Sequence, residues 1–195
     1  MCAYCWNYAR NLSPERFKEY YSPRHVADRL LDIAEKRAYR LLRISGAEPV
    51  LGERTFSHLI EVLEHLYRGS RETLFILETN GLYLGYKVDL LGKFREFPNL
   101  RVRVCVKGID ERSFEQITGA QREFFRFPLV AILEMEKLGV ETWPAVMGDL
   151  FSGEEIDRFR RSLREKGISA ELELESLEAY PFVQQNMRKR KIRGI

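Results

Sequence analysis

Five short runs rich in branched and aromatic residues, at 39–46, 73–81, 100–108, 140–147 and 169–177, alternate with stretches of helical periodicity. Strands separated by helix-length segments must run parallel, because the chain returns to the same end before each new strand. The first helical stretch covers 14–38, with Ser13 as cap, Pro14 at the first helical position and a break near Ser22-Pro23. The second, 53–67, spaces Phe56, Leu59, Ile60, Leu63 and Leu66 along one face. Further helices are predicted over 127–138, stopped by Gly139, and over 152–166, opened by a Ser152–Glu155 capping box and ended at Gly167. The last is predicted over 179–191.

Strand polarity separates an open doubly wound sheet from a barrel. Leu100, Val102, Val104 and Val106 share one face of the third run, and Arg101, Arg103, Cys105 and Lys107 share the other. Ala170, Leu172 and Leu174 likewise oppose Glu171, Glu173 and Glu175. A sheet covered by helices on both faces needs both faces apolar. One charged face suits a partial α/β barrel of parallel strands with helices outside and a polar interior. The Arg103–Lys107 and Glu171–Glu175 faces are then expected to share that interior, with ion pairs or water between them because buried charge is costly alone.

The 195 residues suit one domain, 1–195, and a sizeable core. A net charge of +3 implies neither a strong nucleic-acid field nor a membrane-binding one. No apolar run approaches bilayer length and no signal peptide opens the chain, so a cytoplasmic protein is expected. Sparse glutamine beside plentiful Glu, Lys and Arg leans towards a thermophile.

The three cysteines, Cys2, Cys5 and Cys105, are too few and odd in number for a disulfide framework. Two thiolates spaced as Cys2 and Cys5 can reach one metal ion. Zinc, an iron–sulfur cluster, a redox dithiol and an unliganded pair all fit the spacing. His25, His58 and His65 have no zinc-like spacing to the pair.

The wider context narrows this. Cys2-Ala3-Tyr4-Cys5 resembles the end of the radical S-adenosylmethionine (SAM) signature, C-x3-C-x2-C, with Tyr4 as the aromatic before the last cysteine. Ser45-Gly46-Ala47-Glu48-Pro49 closes the first strand and resembles that family's Gly-Gly-Glu-Pro motif, with Ala47 for the second glycine. Thr79-Asn80-Gly81 closes the second strand, as in activating-enzyme-like members, and Lys107-Gly108-Ile109-Asp110 matches the segment after the third. The resemblance, to an archaeal or thermophilic member, covers essentially the whole chain.

The resemblance implies a [4Fe–4S] cluster whose open iron chelates SAM, cleaved by one electron to a radical that abstracts hydrogen from a substrate. It implies Cys2 and Cys5 as cluster ligands, and Tyr4, Ser45, Gly46, Ala47, Glu48, Pro49, Thr79, Asn80 and Lys107 around SAM, with Glu48 offered to its ammonium. Lys107 is alternatively a lumen charge paired to Glu173 or Glu175. Cys105 reads as a small residue of the lumen wall, where activating enzymes carry an acid. No catalytic residue is named. An electron donor such as ferredoxin or flavodoxin is implied, with a substrate that is a small molecule, a protein or RNA, the last suggested only by the basic tail Arg188, Lys189, Arg190, Lys191 and Arg193.

The family's first strand and its first cysteine, four positions before Cys2, are expected ahead of Met1. The chain as it stands is therefore expected to build no stable cluster and to be inactive, with 39–46 left as an exposed edge that promotes association. The competing reading is a non-catalytic, barrel-like binding module without a cluster.

Overall fold

A computed structural model describes residues 1–16, 19–45 and 47–192. Its strands are β1 (Leu41–Ile44), β2 (Leu74–Thr79), β3 (Leu100–Cys105), β4 (Thr142–Met147) and β5 (Glu173–Glu175). Each falls inside one of the five runs expected. They form a single sheet in the order of the sequence, every pairing parallel. That is an open, partial barrel.

The helices are α1 (Tyr8–Leu12), α2 (Pro23–Arg37), α3 (Glu53–Gly69), α4 (Leu82–Tyr86), α5 (Glu111–Thr118), α6 (Arg126–Lys137), α7 (Gly153–Glu165) and α8 (Pro181–Lys189). Of the helix expected over 14–38, the α-helical part begins only at Pro23, and Ser13 follows a helix where it was expected to open one. Ser13 closes α1, and Ser22 opens α2 by accepting from the N–H of His25, with Pro23 in the first turn. Pro23 disfavours helix at Ser22, and the chain breaks near that pair as expected. The capping box at Ser152 and Glu155 opens α7 as expected. The short helices α1, α4 and α5 lie outside the predicted set.

The outer face of the sheet carries the main core. Leu77, Val102, Val104 and Val106 are buried there, against Phe56, Leu59 and Leu63 of α3 and Ile132 and Met135 of α6. Each such side chain contributes about 2 kcal/mol by leaving water. Two tight packings set the helix positions. Gly81 has φ +72, and a Cβ there would stand 2.8 Å from Val104 Cγ1. At Gly85 a Cβ would stand 1.9 Å from the Phe127 carbonyl oxygen, so α4 meets α6 backbone to backbone.

A smaller cluster, Ala3, Tyr4, Ile117, Val183 and Met187, fastens residues 2–5 and α8 to the end of α5. The Ile117 carbonyl accepts from both the Ala3 N–H at 2.8 Å and the Arg190 guanidinium at 2.7 Å. Arg193 lies outside the described residues. No helix among the described residues is long and apolar enough to cross a membrane.

Candidate active site

The inner face of the sheet bears the charges. Arg103, on β3, has a side chain only 4% exposed. It grips Glu173 of β5 through Nε and Nη2, both at 2.9 Å, and reaches Glu175 at 2.8 Å and Glu78 of β2 at 3.3 Å. Burial works against the guanidinium charge, but these carboxylates outweigh it and hold its pKa above the ordinary value. Glu173 in turn is held below the usual glutamate range, chiefly by Arg103, and also accepts from Trp143 Nε1 at 2.5 Å. Ala145 makes this reach possible: it pairs with Cys105 on one side and Glu173 on the other, so no bulk separates β3 from β5. Val102, Val104 and Val106 face the helices, as the barrel orientation requires. Glu171 departs from the expected shared interior. It precedes β5 and borders a separate groove with Arg160 and Arg164.

Above this network, at the C-terminal ends of the strands, opens a cavity of about 560 Å³. Cys2, Tyr4, Cys5 and Trp6 form one wall. Ala47, Thr79 and Asn80 form the β1–β2 side, and Arg103, Cys105 and Lys107 lie along β3 and its end. Residues 175–178 with Tyr180 close the far side. Parallel α/β folds place their sites at this end, where the loops converge.

The strand-end motifs have a local logic. Glu48 accepts from Thr79 Oγ1 and from the Asn80 N–H, each at 2.6 Å, and from the Val50 N–H at 3.1 Å. Burial pushes its carboxyl up, while those three bonds pull it back. Thr79 Oγ1 also accepts from the Gly81 N–H at 3.1 Å, and Asn80 Oδ1 accepts from the Leu82 N–H at 2.8 Å, seating the start of α4. Thr-Asn-Gly is thus a corner in which the Thr79 hydroxyl both donates and accepts and Gly81 supplies a positive φ. Glu48 acts through this corner. It does not line the cavity, and its oxygens are engaged.

Of the expected site residues, Cys2, Cys5, Tyr4, Ala47, Thr79, Asn80 and Lys107 open onto the one cavity. Ser45 is exposed and Pro49 half-buried, and neither lines it. Gly46 lies outside the described residues. Lys107 makes no ion pair with Glu173 or Glu175. Its Nζ sits 5.4 Å from the centre of the Tyr4 ring, because Arg103 already holds both glutamates. Burial keeps the Tyr4 phenol protonated well above its usual range. Cys105 lines the wall as expected, accepting from Arg103 Nη1 at 3.2 Å, and burial raises its thiol. Trp6, Met147, Glu178 and Tyr180 also line the cavity and carried no motif in the sequence.

Cys2 and Cys5 sit on one turn, closed by the Cys5 N–H donating to the Cys2 carbonyl at 3.2 Å. Cys5 Sγ accepts from Asn11 Nδ2 at 3.4 Å. Burial raises the Cys2 thiol, with Lys107 pulling it down. Two soft sulfurs on one turn fit two of the three thiolates of an iron–sulfur cluster. Among the described residues, no group of three or more His, Cys, Asp or Glu stands together to hold a metal. The rest of the cavity mixes apolar surface with the polar groups of the strand ends.

No curated protein matches the chain in sequence. Among solved structures, the fold is similar to SuiB from Streptococcus suis, in a crystal structure bound to S-adenosylmethionine. The TM-score is 0.68 at 13% identity, over 89% of this chain and 40% of that one. The chain therefore spans less than half of the structure it matches. The family model for the radical SAM superfamily matches residues 1–165, and the chain belongs to that superfamily.

Proposed function

We propose that the cavity holds SAM against a [4Fe–4S] cluster ligated in part by Cys2 and Cys5, in a radical SAM oxidoreductase of the activating-enzyme-like kind. The observation that carries this is spatial. Two thiols from residues 2–5 and the strand-end corners of β1 and β2, far apart in sequence, face one cavity. When bound, the cluster and SAM supply one electron and a carbon-centred radical that removes hydrogen from a substrate. The electron comes from a donor of the ferredoxin or flavodoxin class.

The chain's own residues have distinct tasks. Cys2 and Cys5 hold iron. Thr79 and Asn80 present the β2 corner to the cofactor, and Glu48 fixes that corner. Ala47 keeps the backbone approachable. Lys107, charged and free of carboxylate partners among the described residues, faces the cofactor's carboxylate. Tyr4, neutral and buried, keeps water from the iron side.

The third thiolate, on this reading, belongs to a cysteine four positions ahead of Cys2. The test is anaerobic reconstitution of the chain extended by a segment carrying that cysteine. About four irons per chain with visible absorption is expected, and SAM cleavage on reduction. Zinc, or no metal, overturns the reading; SAM binding without iron leaves the binding module in its place.

A further inference from the structure

The cavity is lined by charges of both signs. The β1–β2 side offers Ala47, Thr79 and Asn80, together with Glu78, whose carboxylate is held by Arg43 and Arg103. Among the described residues, the cations that line the cavity are Arg103 and Lys107. Arg103 has nothing to give a ligand, since Glu173, Glu175 and Glu78 take its N–H groups and its side chain is 4% exposed. Lys107 lies beside Tyr4, and its charge also acts on Glu175 without an ion pair between them.

The far wall is different. Glu175 gives one oxygen, Oε1, to Arg103 at 2.8 Å. Glu178 gives Oε2 to the Tyr180 hydroxyl at 2.6 Å. The second oxygen of each has no protein partner among the described residues. Two large aromatic rings frame the same space, Trp6 at 62% exposed and Tyr180 at 45%. The Tyr180 ring is held by parallel stacking on Phe182, with centroids 5.8 Å apart and 3° between planes.

An anion placed here meets two carboxylates. A neutral ligand leaves their free oxygens unsatisfied where it displaces water. A cationic amine satisfies both: its N–H groups donate to Glu175 and Glu178, and its charge lies against the Trp6 and Tyr180 rings. We infer that this half of the cavity is a subsite for a positively charged amine or guanidinium carried by the substrate. The inference rests on reading the cavity as the reaction chamber, and names the substrate class that reading leaves open. The same chemistry is offered by a free amine and by a lysine side chain within a peptide.

The test is a binding titration that needs neither iron nor turnover. Trp6 emission is followed in the chain as it stands, with SAM present, against cadaverine as a free amine and Ac-Gly-Lys-Gly-amide as a peptide ammonium. Glutarate, of similar length and opposite charge, is the control. A saturable change with either amine, absent with glutarate and lost in Trp6→Phe, is expected; the tighter of the two tells a free amine from a side chain. Glu178→Gln, on an exposed loop whose loss does not threaten folding, should weaken binding about tenfold, as loss of one charge-assisted hydrogen bond does. Glu175→Gln should weaken it at least as much. No response to either amine, an equal response to glutarate, or undiminished binding in Glu178→Gln overturns the proposal. Iron content of the extended chain, measured separately, shows whether the radical SAM reading stands when the subsite does not, or the reverse.

Discussion

The carboxylate of Glu48 accepts a 2.6 Å hydrogen bond from the backbone N–H of Asn80, across 32 positions of sequence. This bond joins the loop after β1 to the end of β2, and so fixes the corner that faces the cavity. Glu48→Gln places an amide N–H where an acceptor is needed for two or three donors. We expect a loss of about 1–3 kcal/mol, the cost of an unsatisfied buried donor, read as a lower denaturation midpoint. SAM affinity should fall in the same variant while the two cysteines still bind metal. Unchanged SAM affinity would show that the corner does not carry the cofactor.

The Arg103–Glu173 pair predicts the acid limb of stability. Glu173 has a folded pKa below the ordinary glutamate value of about 4.5, mainly through Arg103. Its contribution is therefore complete above that value and fades as pH falls through the folded pKa. Glu173→Gln should flatten the loss of stability between about pH 4.5 and more acidic conditions. A urea-midpoint series from pH 7 to pH 3 decides this; parallel curves for the two proteins would count against it.

Removing the cation is a harsher change. Arg103→Met leaves Glu78, Glu173 and Glu175 together without their shared partner. A loss of about 1.5–3 kcal/mol is expected, that of charged hydrogen bonds, since Glu173 and Glu175 keep contact with solvent. Most of it should be recovered in Arg103→Met combined with Glu173→Gln, which a double-mutant cycle would measure.

Two glycines make a matched comparison. A Cβ at Gly85 meets the backbone carbonyl of Phe127, which cannot rotate aside, whereas nothing lies within 4 Å of one at Gly92. Gly85→Ala should force α4 from α6 and cost about 3 kcal/mol, at the upper end for overpacking. Gly92→Ala should be neutral or stabilising by up to about 1 kcal/mol. Thermal melts of the two variants check both.

Strand β1 pairs with β2 alone among the described residues, and Leu41 on it is half-exposed, as is nearby Tyr39. Such an edge recruits other strands. The chain should form oligomers that grow with concentration in light scattering. Leu41→Lys should reduce them, since charge on an edge strand opposes pairing. A monodisperse monomer at high concentration removes the basis for this expectation.

The strands were legible because branched residues between turn residues leave few alternatives, and alternation with charge told the inner face from the outer. Arg103 and Glu173 could be assigned to one interior on that ground. Their partnership could not, because it depends on the β3–β4–β5 register and on Ala145 being small. For the same reason, of the two readings of Lys107, the pairing with Glu173 or Glu175 does not hold. Helix α5 was hidden by its length: eight residues give too few turns for periodicity, although Asp110 with Ser113 forms a capping box and Gly119 a C-terminal stop. Cys2, Asn80 and their neighbours were found by motif. Trp6, Glu178 and Tyr180 belong to no motif, and only the meeting of the cysteine turn with the segment after β5 makes them one wall.

The carbonyl of Ile117 ties the cysteine turn to Arg190, at opposite reaches of the polypeptide. Whatever unseats α8 therefore also loosens the segment that carries Cys2 and Cys5, so the two hold or release together.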